Sequence, residues 1–308
     1  MTPGRALLLA RQRLRGGLRT TYYRERVAPR ILLTPPVIDT VDPTCEVHAL
    51  TCAGDWQCCM WALKTFYRYS ARPYRLCIHE DGTLSPRECE ELRRHFPRAR
   101  LIRRAEADAR AESLLRDYPR AAAFRRTNLL APKLLDFLAY LESDRLLVLD
   151  SDVLFFDRPE ALIARIESPE RRNAWNADFG DAYTVTADQV QRALGFDLVS
   201  RVNSGLGLVH RDSLRLDWIE EFLGLPGITE GYFWRVEQTL YALASSRFGT
   251  DLLPAEYTLR LAKGIEGRPF RHYVGRIRGL FYSEGLSHLV KRGFLAGATP
   301  WESRLSWR

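Results

Sequence analysis

Long hydrophobic runs are missing from this chain of 308 residues. None approaches the roughly 18 consecutive apolar residues that cross a bilayer. The apolar stretch Ala6–Ala10 is too short for a signal-peptide core, and most of the neighbouring positive charge follows it. A cytoplasmic protein is the expectation. No C-x-x-C pair occurs among the six cysteines, although Cys45, Cys52, Cys58 and Cys59 lie close together around His48. Adjacent Cys58 and Cys59 suit neither a disulfide framework nor a regular zinc site, so buried, reduced thiols are expected, with a metal site at His48 the minor alternative. Internal repeats and low-complexity segments are also absent.

Acidic residues are scarce at the start of the chain. Residues 1–30 hold eight arginines against the single acid Glu25, so seven of the eight net positive charges lie there. The remainder is close to neutral, which excludes a basic body coating nucleic acid, and no nucleic-acid partner is expected. The reading is a partly flexible basic arm over 1–44, free in solvent, contacting an acidic partner or resting on an anionic membrane at its inner face, followed by one domain over 45–308.

Regular structure should begin after Thr34-Pro-Pro and a turn at Asp42-Pro43. Strands are expected at Glu46–Cys52, Tyr74–His79 and Arg100–Arg103, and helices at Trp56–Tyr69 and Arg87–Phe96. Ser85 should cap the second helix with Pro86 in its first position. Residues 105–142 read as mainly helical, punctuated by Pro119 and Pro132. Alternating strands and helices imply an α/β fold with a mostly parallel central sheet flanked by helices.

The run RLLVLDSDVLFF (145–156) carries the chemistry. Near-continuous apolar residues suit a central strand buried on both faces, which places Asp150 and Asp152 where that strand emerges. Ligands of open α/β sheets bind at such carboxyl ends. Residues i and i+2 can converge on one cation, and two hard oxygen donors suit Mn²⁺ or Mg²⁺. The competing motif Glu80–Leu84 (EDGTL) resembles a phosphatase signature but has His79 where a nucleophilic Asp is required, so Asp81-Gly82 reads as a turn.

With Asp150-Ser-Asp152 in place, the chain resembles the GT-A glycosyltransferases, most of all glycosyltransferase family 8, which includes glycogenin and lipopolysaccharide galactosyltransferases. The resemblance rests on LVLDSDVLFF, Asn203-Ser204-Gly205, Glu237-Gln238 and His272-Tyr-Val-Gly275-Arg-Ile-Arg278, spanning about 150–278. It implies the GT-A fold and metal-dependent transfer of a hexose, with retention, from a nucleotide-diphosphate sugar to a hydroxyl-bearing glycan, lipid or protein acceptor. Asp150, Asp152 and His272 would hold the metal, with Asp150 also near the ribose. Gly275 and Arg278 would meet the diphosphate, with Arg278 standing where the family has Lys. Asn203 and Gly205 would border the sugar pocket, Glu237 would hold a sugar hydroxyl, and Gln238 would lie near the anomeric carbon. Glu237 replaces the family's Asp, and Gly279-Leu280 its Pro-Trp.

Further candidates come from position. Lys133 and Arg126 could reach the donor phosphates, and Asp178 and Asp181 could bind acceptor or act as a base. Two other functions share parts of this pattern. A sugar-1-phosphate nucleotidyltransferase would need a Gly-rich, Arg-containing loop after the first strand, whereas Ala53-Gly54-Asp55 is sparse. A non-catalytic nucleotide- or glycan-binding protein would keep the metal site without turnover.

Overall fold

The computed structural model describes residues 17–296. A seven-stranded sheet forms its centre, in the order β3-β2-β1-β4-β7-β6-β8. Its strands are β1 (Asp42–Thr51), β2 (Tyr74–Glu80), β3 (Arg100–Ile102), β4 (Arg145–Leu149), β6 (Asn173–Ala177), β7 (Val202–His210) and β8 (Thr250–Leu252). The first four run parallel, β7 is antiparallel to both β4 and β6, and β8 is parallel to β6. A separate antiparallel pair joins β5 (Val153–Phe155) to β9 (Phe270–His272).

The apolar run at 145–149 becomes the central strand because both faces have a core to fill. Leu147 and Leu149 enter one core with Val47 and Ala49 of β1, and Leu146 and Val148 enter the other with Phe137. All four β4 residues are fully buried. The helices Trp56–Ser70, Pro86–His95 and Phe233–Phe248 pack on this frame, and 104–140 divides into three helices at Pro119 and Pro132.

Two parts of the N-terminal reading change. Asp42-Pro43 is strand rather than turn: β1 starts at Asp42, with an irregular register between Asp42 and Glu46. The segment counted with the basic arm is also packed in part. Residues 23–33 form two helical turns, Val27, Ala28 and Ile31 are buried, and the Trp61 indole N–H donates to the Ala28 carbonyl at 2.9 Å. Apolar side chains among the arginines decide that outcome. Residues 1–16 of the expected arm, and 297–308 of the expected domain, lie outside the described residues.

Ser85 closes a capping box. Its hydroxyl accepts from the Glu88 N–H, and the Glu88 carboxylate accepts from the Ser85 N–H at 2.7 Å. Ser85→Ala removes one acceptor from the helix start and should lower unfolding free energy by about 1 kcal/mol, measured by urea denaturation.

Candidate active site

Chain segments more than a hundred residues apart meet at the carboxyl end of β4. The Asp150 N–H donates to the Gly205 carbonyl at 2.9 Å, tying the acidic turn to β7. Val153 pairs with His272 across β5 and β9, and the Tyr273 N–H donates to the Asp152 carbonyl at 2.9 Å. His272 Nε2 thereby reaches Asp152 Oδ1 at 3.0 Å and Asp150 Oδ2 at 3.7 Å. One ligand atom from each of Asp150, Asp152 and His272 lies within 4.8 Å of the others.

The imidazole is aimed by its second nitrogen. His272 Nδ1 lies 2.8 Å from Asn203 Oδ1, an acceptor that assigns the proton to Nδ1 and leaves Nε2 for a cation. Asn203 is fixed in turn, donating from Nδ2 to Asp178 Oδ2 at 2.9 Å and accepting at Oδ1 from the Gly205 N–H at 3.0 Å. Gly205 leaves room for the ring: a Cβ there would sit 2.2 Å from His272 Cε1. Asn203 and Gly205 therefore support the imidazole, beyond the sugar-pocket border expected of them. They also lie within strand β7, which begins at Val202.

Four carboxylates crowd this point, and cations interleave them. Lys133, expected at the donor phosphates, is instead buried between Asp150 Oδ1 at 2.7 Å and Glu237 Oε1 at 3.3 Å, with the Ser204 carbonyl at 3.2 Å. Arg126 is exposed, while its neighbour Arg125 is buried against Asp136. Arg278 contacts Asp152 Oδ2 at 2.6 Å and Asp55 Oδ2 at 2.7 Å, so it braces the acidic turn from its other side. Asp55 entered the sequence reading only as the end of the sparse Ala53-Gly54-Asp55 loop and was given no role there. It stands in the 53–55 loop after β1, a strand end where ligands gather.

Glu237 is fully buried, and its carboxyl is pushed up to about 7 by burial and the nearby Asp150 charge, against the pull of Lys133 and Ser204. Ser204 Oγ donates to Glu237 Oε2 at 2.9 Å. Gln238 Oε1 accepts from the Ser204 N–H at 3.3 Å, and its Nε2 donates to the Ala182 carbonyl at 3.4 Å. Both side chains therefore face β7 rather than bulk solvent. Gly275 lies on the segment after β9 with open space where a Cβ would stand. Asp178 and Asp181, considered for an acceptor or base role, make local contacts here. Asp178 holds Asn203, and Asp181 accepts from the Arg201 N–H at 2.6 Å.

Burial alone would raise the Asp152 carboxyl, but His272 and Arg278 hold it well below the ordinary range. Burial alone would lower His272, and Asp152 and Asp150 outweigh it, so the imidazole is raised above its ordinary value. A cation binding here displaces the Nε2 proton while the Asp152 carboxylate is already ionised. Mn²⁺ affinity should therefore be greatest above the raised His272 value and fall by about tenfold per pH unit below it. Calorimetry between about pH 5 and pH 8, in buffers of different ionisation enthalpy, would count the released proton.

No protein-family model and no curated protein sequence matches the chain. Solved structures do match. The galactosyltransferase LgtC, in complex with donor and acceptor sugar analogues, superposes with a TM-score of 0.53 at 13% identity, covering 83% of this chain and 96% of that one. Mouse xyloside xylosyltransferase 1 gives 0.50 at 12% identity, covering 79% and 99%. The bifunctional glycosyltransferase WbbM gives 0.53 at 12% identity, covering 87% of this chain and 52% of that one. The chain thus has the GT-A glycosyltransferase fold.

Proposed function

We propose that the chain is a metal-dependent glycosyltransferase that moves a hexose from a nucleotide-diphosphate sugar to a hydroxyl acceptor. The observation that carries this reading is the convergence of Asp150, Asp152 and His272 at the end of β4, with Nε2 presented by Asn203. Two carboxylates and one imidazole suit Mn²⁺, and Mg²⁺ less well because of the nitrogen donor. A bound divalent cation would offset the negative charge that develops on a departing diphosphate.

The chain's own residues would do the rest. Lys133 pairs with both Asp150 and Glu237, which offsets the repulsion between the half-buried and the buried carboxylate. Arg278 stands beside Asp152 and would share its charge with the diphosphate. Gln238, held by Ser204 and Ala182, would border the anomeric carbon, and Glu237 would accept from a sugar hydroxyl. The acceptor oxygen would bond to the anomeric carbon as the carbon–oxygen bond to the diphosphate breaks. The proton would pass from the acceptor to the leaving diphosphate on the same face, which retains configuration.

The decisive experiment is a nucleotide-sugar panel read by nucleoside diphosphate release, with and without Mn²⁺. Release should require the metal and should increase when sugar acceptors are added. Asp152→Asn should lower metal-dependent affinity for nucleoside diphosphate by at least about tenfold, or 1.4 kcal/mol, while the chain stays folded at the temperature of the titration. Unchanged calorimetric affinity in that variant would sink the assignment.

The basic N-terminal segment would rest on an anionic membrane surface. Leu18, Tyr22 and Leu33 are exposed beside Arg19, Arg24 and Arg30, the mixture an interfacial segment needs. Among the described residues no helix is long and apolar enough to span a membrane. Deleting residues 1–16 removes four of the eight arginines in the first thirty residues. It should weaken sedimentation with phosphatidylglycerol vesicles, an effect that fades as salt rises. Equal sedimentation of the full and shortened chains would count against the anchor.

A further inference from the structure

The faces of β1 and β2 are unlike each other. One carries Cys45, Val47 and Ala49 beside Tyr74, Leu76 and Ile78, an apolar surface inside the main core. The other carries Glu46, His48 and Leu50 beside Arg75, Cys77 and His79, in the register His48↔Cys77 and Leu50↔His79. This second face lies beneath the helix Pro132–Tyr140, whose Phe137 ring centroid stands 5.2 Å from His48 and 4.8 Å from His79. Glu46, His48, Cys77 and His79 are nonetheless almost wholly buried. Burying two imidazoles where Val and Ile would fill a sheet requires a compensating interaction.

Three donor atoms converge there. His79 Nε2 lies 3.1 Å from His48 Nδ1 and 3.3 Å from Cys77 Sγ, and the three residues offer ligand atoms within 4.8 Å of one another. Tetrahedral Zn²⁺ bonded to one sulfur and two imidazole nitrogens sets ligand edges of about 3.3 Å for N···N and about 3.6 Å for N···S. The observed edges are within a few tenths of an ångström of both. A single proton on His79 Nε2 satisfies one of these two contacts, whereas a cation engages all three donors at once.

The outer shell supports this at His48, while Nδ1 of His79 is buried without a hydrogen-bond partner. Glu46 Oε2 lies 3.5 Å from His48 Nε2, so the carboxylate takes the Nε2 proton and turns the Nδ1 lone pair toward Cys77 and His79. Glu46 is itself fixed by Arg100 at 2.8 Å and by the Glu142 N–H at 2.6 Å. Burial keeps His48 and His79 below their ordinary values, in the neutral form that binds metal. Burial pushes the Cys77 thiol up, so a cation binding there must displace its proton, and the resulting thiolate offsets one of the two positive charges. Cys45, Cys52, Cys58 and Cys59, the thiols nearest His48 in sequence, take no part in the group.

We propose that His48, Cys77 and His79 form a structural site for a thiophilic transition-metal cation, Zn²⁺ in the first instance, pinning β1 to β2 beneath the helix Pro132–Tyr140. It is independent of the transferase reading and of the oxygen-rich group at Asp150. Sulfur and nitrogen donors select Zn²⁺ over Mn²⁺ or Mg²⁺, so the two sites separate by metal.

The test uses the full chain, expressed without a histidine tag and purified under reducing conditions. Elemental analysis should find one zinc per chain that survives dialysis against excess Mn²⁺. Refolding with Co²⁺ in place of zinc should give a near-ultraviolet thiolate-to-cobalt band that Cys77→Ala abolishes and that Cys52→Ser and Asp152→Asn retain. Glu46→Gln should weaken zinc binding by about 10- to 100-fold. Zinc X-ray absorption on the unaltered chain should show one sulfur and three lighter neighbours, two of them imidazole nitrogens and the fourth a water oxygen, a readout that holds even if Cys77→Ala fails to fold. A folded chain that carries no zinc and gives no cobalt band overturns the site. So does a band that persists in Cys77→Ala, or an absorption shell without sulfur. Each of these three results leaves Glu46–His48–His79 as a proton-linked chain with Cys77 as an apolar thiol.

Discussion

The antiparallel pairing of β5 with β9 is the constraint on which the candidate active site depends. It is only three residues long, yet it brings His272 opposite Val153 and beside Asp152. Without it, the histidine would be a distant residue near the end of the described chain. The contact is made by backbone, so it holds whether or not the side chains carry their charges. Two neighbouring ties stiffen it: the Asp150 N–H to Gly205 and the Tyr273 N–H to Asp152. A donor set built on strand ends in this way is pre-positioned, and binding need not order a loop first.

Charge explains the packing around that constraint. Asp55, Asp150, Asp152 and Glu237 would repel one another in a low-dielectric interior. Lys133 separates Asp150 from Glu237, and Arg278 separates Asp152 from Asp55. His272, raised toward its charged form, serves the same end at Asp150 and Asp152. The imidazolium and a divalent cation are therefore alternatives at one place. Lys133 and Arg278 stay beside these carboxylates in either state. Glu237 remains the least compensated of the four, because its contact with Lys133 is shared with Asp150.

Much of this was legible in the sequence. The parallel half of the sheet followed from strands alternating with helices, and Asp150 and Asp152 followed from an apolar run interrupted by acids. The Ser85 cap was readable because its chemistry is local. The reading failed where tertiary contact overrides local preference. Asp42-Pro43 carries turn chemistry but is drawn into β1, and Ala28 and Ile31 sit among arginines yet enter the core. The partners of Asp178 and Lys133 were not legible, because a side chain's partner is set by topology that spacing cannot reveal. The His48–Cys77–His79 group was hidden for the same reason. His48 was compared with cysteines nearby in sequence, whereas parallel pairing across a helical crossover brings in Cys77 and His79 instead.

The same reasoning accounts for a fold shared with solved glycosyltransferases at 12–13% identity. Few positions in the site are chemically irreplaceable. Two carboxylates must leave a strand end, and one imidazole must return to them. Behind that imidazole, one residue must lack a Cβ, as Gly205 does, because any other side chain would collide with the ring. One amide must accept from its far nitrogen, as Asn203 does. The remaining requirement is burial, which many apolar sequences satisfy equally well. A chain can therefore change most of its residues while the backbone pairings that carry these four features persist.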